Sequence, residues 1–353
     1  MSVDRSSIEA AMVTQAEESG FSGVVWIRQS NAMLCARAFG YANRADRIAN
    51  TIDTRFQMAS GSKTFTAVAV CQLVERGCFN FDSPLSDCLD IEFPHFNPGI
   101  TIHHLLTHTS GIPDYFDEEW MDDFEALWLK RPCYSMRGPK DFLPMFQSEP
   151  MKLPPGERFS YSNAGFIVLG LLIEQWSGTS FADYVCQNVL ERAGMADSGY
   201  FAADRLPGRT ALSYIVEEDS WRTNIYAVPI IGQPDGGAYT TAPDMARFWD
   251  ALTEGRLLEP TFAEKMLTAH ASVKNKDDNL YYGYGTWIRK HGNTLERFCA
   301  LGCDPGVTFI SAVFPEKDLL ATVIGNSDDA GWAMWRTLEE HTSWLRWTLV
   351  RNR

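Results

Sequence analysis

Ser60-Gly61-Ser62-Lys63 sets a hydroxyl and an amine three residues apart, and the chain runs on into Phe65, Ala67, Val68, Ala69, Val70, Leu73 and Val74. Residues i and i+3 share a helix face, so Ser60 and Lys63 are predicted to meet at the start of a helix. That helix is apolar nearly all round, as a segment buried inside the molecule is. A serine at a helix N-terminus lies where free N–H groups and the positive dipole end stabilise an oxyanion. A lysine sunk beside it can lose its proton at neutral pH and take one from the serine. The segment therefore reads as a nucleophile with its base. The alternative is a capped helix with a surface lysine, but no other lysine of the chain has a serine three residues before it.

A second motif lies downstream. Tyr161-Ser162-Asn163 sits within Pro155-Gly156-Glu157-Arg158-Phe159-Ser160-Tyr161-Ser162-Asn163-Ala164-Gly165-Phe166. A phenol near a lysine ammonium has its pKa lowered and serves as a general base or proton shuttle. An amide two residues on orients the lysine and a substrate carbonyl. Tyr41-Ala42-Asn43 repeats the pattern, but it precedes the serine in a strand-like turn and reads as structural.

The 353 residues are 45% hydrophobic and 22% charged, which is ordinary globular composition with ample length for a large core. A net charge of −14 disfavours nucleic acid or an anionic membrane as the main partner. No apolar run reaches the ~18 residues of a membrane span, and the polar start Met1-Ser2-Val3-Asp4-Arg5 has no signal-peptide core. The expected location is cytoplasmic, or periplasmic or extracellular if a leader has been trimmed away. Eight cysteines without a Cys-x-x-Cys pair point to no zinc or redox motif. His103, His104 and His108 lack a His-Glu-x-x-His pattern, so the expectation is no metal, with a helix ending at Gly111 and His108 hydrogen-bonded in its last turn. No cofactor is expected.

Gly23–Ile27 and Leu34–Gly40 read as two strands joined by a polar turn. The pattern from about residue 100 to 200 is helical, with apolar helices over Phe166–Ser177 and Phe181–Ala193. Between Ile112 and Pro150 acidic and aromatic residues alternate, as in a solvated helix with a buried aromatic side or a lid over a site. Gly236-Gly237 precedes a helix opened by Thr241-Ala242-Pro243-Asp244. Strand patterns return over Tyr282–Ile288, Val307–Phe314 and Leu319–Asn326, and Trp332–Val350 is helical. Strands at both ends around a helical middle predict an α+β fold, one sheet built from both termini with an inserted helical region.

Phe56-Gln57-Met58-Ala59-Ser60-Gly61-Ser62-Lys63-Thr64-Phe65-Thr66-Ala67 resembles the nucleophile segment of class C β-lactamases and their relatives, the penicillin-binding DD-peptidases and serine esterases. Leu105–Gly111, Tyr161-Ser162-Asn163 and Gly236-Gly237 ahead of a capped helix resemble that family in the same order, over roughly residues 20 to 330. The resemblance implies a β-lactamase-like fold: a sheet domain over 1–75 and 200–353, a helical domain over 76–199, and the active site between them. It implies Ser60 as the acylated nucleophile, Lys63 as its partner, Tyr161 as second base or shuttle, and Asn163 as a substrate contact.

One departure matters. The family's third motif is Lys-Thr-Gly or His-x-Gly on an edge strand, and this chain has no Lys-Thr-Gly; Ala300-Leu301-Gly302 is its best counterpart, followed by Cys303-Asp304-Pro305-Gly306. The cation and the hydroxyl that in relatives help to hold a substrate carboxylate are missing. A charge-assisted hydrogen bond is worth roughly 1.5–3 kcal/mol, so weak or no β-lactamase turnover is expected. The strand backbone remains, so the N–H groups of Ser60 and Cys303 are expected to form the oxyanion hole, with Gly302 and Cys303 beside the substrate and Cys303 a small buried residue. The expected activity is serine hydrolysis of an ester, a small amide or a D-amino-acid peptide through an acyl-Ser60. The expected partner is a small molecule or short peptide, and the alternative is a catalytically weak protein that binds penicillin or peptidoglycan fragments. The oligomeric state is not legible from the sequence.

Overall fold

In the computed structural model, residues 5–341 are described, apart from 219, 274–276 and 328. An N-terminal helix, α1 (Arg5–Ser19), leads into the hairpin β1 (Gly23–Gln29) and β2 (Ala32–Phe39). Helix α2 (Lys63–Glu75) follows a 3₁₀ turn over Ala59–Ser62. Helices α3 (Asn163–Ser177) and α4 (Ala242–Thr253) come next. The chain then lays down β3 (Ala271–Ser272), β4 (Leu280–Tyr282), β5 (Trp287–His291), β6 (Thr294–Asp304), β7 (Val307–Phe314) and β8 (Leu319–Gly325), and α5 (Ala330–His341) closes the described chain.

The strands form one eight-stranded sheet in the order β2-β1-β8-β7-β6-β5-β4-β3. Every pairing is antiparallel. The first and last segments thus meet at β1 and β8, with Gly23 opposite Gly325 and Ile27 opposite Ala321. Both sheet faces are covered, so the strands read as unbroken apolar runs. Along β1, Val24 and Trp26 face the large core around α2 and α4, while Val25 and Ile27 face a second core closed by Ile8 and Met12 of α1 and Trp335 and Leu338 of α5. The alternation follows from the two-residue period of a strand.

Helix α2 is buried over its whole length from Lys63 to Val74, which is why it is apolar on every side. Its end is set by Gly77 at φ +76. Helix α3 is capped by Ser162, whose side chain accepts from Gly165 N, and ends at Gly178 in the left-handed region. Helix α4 begins as expected: Thr241 accepts from Asp244 N, with Pro243 in the first turn.

Four expectations are corrected. The helical pattern over 100–200 is broken: a five-residue helix (Ile102–Leu106) and three 3₁₀ turns lie before α3, and the rest of 107–162 is irregular. Pro113, Pro132, Pro139, Pro144, Pro150, Pro154 and Pro155 each remove a backbone donor, so no long helix propagates there. The solvated helix over 112–150 is accordingly absent among the described residues. The helix expected to end at Gly111 stops at Leu106, and His108 sits beyond it at φ 56. Tyr282–Ile288 is a hairpin rather than one strand, with Tyr282 paired to Trp287 across Gly283–Thr286. Helix α1, weakly patterned and ahead of the motifs, was not anticipated; the part of the expected last helix beyond residue 341 lies outside the described residues.

Candidate active site

Ser60 occupies the 3₁₀ turn, and Lys63 opens α2 behind it. The turn is pressed against the sheet. A Cβ on Gly61 would lie 2.4 Å from the Phe309 ring, and one on Gly302 would lie 2.2 Å from Met58 O and 2.9 Å from Ser60 N. Only glycine lets β6 cross this close to the Ser60 turn. The other side is held by the Gly236-Gly237 loop: Gly237 N donates to Ala59 O at 3.0 Å, and Thr66 Oγ1 donates to Pro234 O at 2.6 Å. Ala59 itself is held at φ 45, a strained conformation immediately before Ser60.

Lys63 is 1% exposed. Its Nζ lies 3.0 Å from Ser60 Oγ, 2.8 Å from Asn163 Oδ1 and 2.5 Å from the carbonyl oxygen of Asp235. Asn163 Oδ1 and the Asp235 carbonyl only accept, so two Nζ–H bonds go to them. In a neutral amine the remaining lone pair then faces the serine hydroxyl. Burial pushes the Lys63 pKa down, against the pull of Asp235, Glu118, Asp114 and Asp304.

Tyr161 lies with its ring stacked parallel to Trp287 and 4.3 Å from the ring of His108. Lys63 Nζ sits 4.9 Å from the centre of the Tyr161 ring, and the Ser60 hydroxyl is near enough to the phenol to pull its pKa down slightly. Its pKa is not lowered as the sequence suggested. Burial, with Tyr282 and Glu118 adding to it, drives it well above the usual phenol value. The ammonium is desolvated and turned toward other acceptors, so it does not stabilise a phenolate enough to offset burial. His108 is buried behind the tyrosine; its Nδ1 accepts from Ser162 N at 3.1 Å, and burial holds it neutral with a strongly depressed pKa. Asn163 is positioned by Asp114, whose carboxylate accepts from Asn163 N and Ala164 N, both at 2.8 Å, at the start of α3.

Ser60 and Asn163 open into a cleft of about 520 Å³ walled by the 115–125 segment, the 228–237 loop and the end of β6. Gly302 and Cys303 lie where β6 passes Ser60. β6 is not an edge strand, since β5 pairs with its first half; the pairing stops at Cys299, so residues 300–304 meet the cleft instead. Cys303 is exposed in the cleft rather than buried. Ala300 is 1% exposed, and among the described residues no lysine, arginine or histidine lines the cleft to replace the missing cation. Tyr41 is exposed on a separate ribbon, as a structural residue.

Three contributors were not singled out from sequence. Asp235 acts on Lys63 through its backbone oxygen, for which the residue type carries no signal, while its carboxylate accepts from the Tyr115 hydroxyl. Asp114 stands in an acidic stretch, and because it lies 49 residues before Asn163 the sequence carries no signal of its contact with the start of α3. Trp287 was hidden by the misread hairpin. Among the described residues no group of three or more His, Cys, Asp or Glu is placed to hold a metal ion, and no helix is long and apolar enough to cross a membrane.

The family model described as Beta-lactamase matches residues 8–339. A crystal structure of a penicillin-binding protein from Bacillus halodurans superposes with a TM-score of 0.89 at 50% identity, covering 93% of this chain and 99% of that one. Penicillin-binding protein 4* of Bacillus subtilis is 29% identical over 80% of this chain and 63% of its own length. Esterase EstB of Burkholderia gladioli is 32% identical over 60% of this chain and 56% of its own. The chain thus spans less than two thirds of the length of these curated relatives. A D-amino acid amidase from Ochrobactrum anthropi shares the fold, with a TM-score of 0.75 at 21% identity over 96% of this chain and 98% of that one. With the antiparallel sheet and with Ser60, Lys63, Tyr161 and Asn163 gathered behind and beside one cleft, the chain belongs to the beta-lactamase family of serine hydrolases.

Proposed function

We propose that the protein hydrolyses a carboxylic ester, a small amide or a D-amino-acid peptide through an acyl-Ser60 intermediate, with little or no β-lactamase turnover. The observation that carries this reading is the buried Lys63 amine 3.0 Å from Ser60 Oγ, with its two other contacts taken by obligate acceptors. Lys63, its pKa lowered by burial, takes the Ser60 proton as Oγ bonds to the substrate carbonyl carbon. The backbone N–H groups of Ser60 and Cys303 receive the oxyanion; one such donor is worth about 10²–10³ in rate. The raised pKa of Tyr161 keeps it a phenol, which suits it to pass the proton from Lys63 to the leaving group as the tetrahedral intermediate collapses. Water then attacks the acyl carbon, gives its proton back along the same route, and releases the acid and Ser60 Oγ–H. Asn163 fixes the lysine and faces the substrate.

The relatives named for penicillin binding, esterase and D-amino acid amidase activity bracket the substrate. The lack of a basic side chain among the described residues lining the cleft favours an ester or amide without a carboxylate over a penicillin. The test is turnover of p-nitrophenyl acetate, labelling by a fluorescent penicillin, and intact mass after an activated fluorophosphonate, each with wild type and Ser60→Ala. Turnover and an adduct that both need Ser60 support the reading. Slow penicillin labelling without turnover of any ester makes the chain a binder, and no adduct at Ser60 refutes acyl chemistry.

A further inference from the structure

The cleft is one-signed. Its wall carries Glu118, Asp122, Asp123, Asp235, Asp304 and Asp329 and, among the described residues, no basic side chain. The site is defined by Ser60 and the enclosing walls; the carboxylates decide only what charge it admits. Several are already engaged: Asp235 accepts from Tyr115, and Asp123 accepts from Ala126 N. Asp304 differs. It ends β6, immediately after Cys303 and two residues from the glycine that touches the Ser60 turn, and it is half-buried in the same cleft. No hydrogen bond or ion pair to its carboxylate is found among the described residues, and the charges that act on it are Lys63, Asp235 and Glu118.

We infer that Asp304 is a specificity-determining residue that selects substrates whose acyl part bears a free ammonium group, and that the acidic cleft disfavours the carboxylate-bearing substrates for which a cation would be required. This rests on the hydrolase reading above and names the substrate class of that same site. The physics is that of a low-dielectric cleft lined by one sign of charge, which focuses its field and concentrates the opposite ion. A carboxylate entering it meets like charges, with no basic side chain among the described residues that line the cleft. An ammonium meets Asp304, whose pKa burial and the neighbouring Asp235 and Glu118 push up to about 7, and relieves that repulsion by ionising it fully. Free-amino aminoacyl esters and amides fit this description, whereas N-acylated peptides with a free carboxylate do not.

The experiment compares p-nitrophenyl esters of 6-aminohexanoate, hexanoate and adipate, which differ in end-group charge at similar length, on the full chain. The expected order of kcat/KM is ammonium above neutral above carboxylate, with a first-to-last ratio of about a hundredfold near 0.1 M ionic strength, narrowing several-fold near 1 M where the Debye length drops from ~10 to ~3 Å. Asp304→Asn is expected to cut the ammonium-to-carboxylate ratio at least tenfold, chiefly through KM. If Asp304→Asn does not fold, the salt dependence of the wild-type ratio decides. A ratio at or below one, or one that neither salt nor Asp304→Asn alters, while Ser60 is still acylated, overturns this inference and leaves the hydrolase reading standing. Failure of all three esters to acylate Ser60 overturns both.

Discussion

Gly302→Ala tests the closest contact in the site. The new methyl would begin 2.2 Å from Met58 O, 2.7 Å from Gly61 N and 2.9 Å from Ser60 N, all backbone atoms that no rotamer change can clear. To reach the ~3.0–3.4 Å that ordinary close packing tolerates, β6 and the nucleophile turn must separate by about 1 Å. That gap lies between Ser60 and the strand that carries Cys303, whose N–H groups are the proposed oxyanion donors. A 1 Å misplacement of such groups costs about 10²-fold in rate, or ~2.7 kcal/mol of transition-state stabilisation. Overpacking should also lower stability by about 1–3 kcal/mol. The assay is kcat/KM for p-nitrophenyl acetate beside a thermal melt, with Gly138→Ala as control, because a Cβ there meets nothing within 4 Å. A folded Gly302→Ala protein should lose far more activity than a rise in KM explains. If it melts and turns over like wild type, the strand does not pin the nucleophile and the oxyanion assignment falls.

Tyr161→Phe removes the proposed proton relay but keeps the ring between Trp287 and His108. It should depress hydrolysis of an anilide by about 10²–10⁴ and that of a p-nitrophenyl ester much less, because p-nitrophenolate leaves without a proton; equal losses on both would deny the relay. Cys303 is the exposed cysteine of the eight, so a small thiol reagent should add one label, block the cleft and be excluded by prior fluorophosphonate treatment; labelling without loss of activity would place the thiol clear of the substrate. Glu339 is 3% exposed, accepts from Arg297 and Trp335, and is pushed by burial up to about 7. The folded state therefore holds its proton between about pH 4 and 7 where the unfolded chain does not, so this contribution to stability is full below that window and is lost as pH rises through it. Urea melts should show Glu339→Gln flattening that part of the pH dependence, and an unchanged slope would refute the shift.

What the sequence made legible was chemistry written in side chains at fixed spacing. Ser60, Lys63, Tyr161 and Asn163 announced themselves because their separation maps onto two helix starts, and the structure brings those starts together where α2 and α3 pack. The sheet built from both ends was legible for the same reason: β1, β7 and β8 are buried on both faces and so are apolar throughout. The rest is carried by groups that composition does not reveal. The Asp235 carbonyl is a backbone atom, and the contact at Gly302 is the absence of a side chain. The loop-rich 107–162 stretch mixes buried aromatics such as Tyr115, Trp128 and Phe142 with exposed ones such as Trp120 and Tyr134, which reads like a helix, while its prolines decide the backbone. The direction of the Tyr161 pKa is not legible from sequence, because burial, which no residue spacing reveals, outweighs the nearby lysine. Cys303 and Asp304 are hidden for a similar reason: the third motif is defined by its cation and glycine, and nothing in the sequence marks the residues after that glycine as facing the cleft. A site is specified as much by the charge its walls carry as by its reactive hydroxyl, and among the described residues lining this cleft that charge is negative.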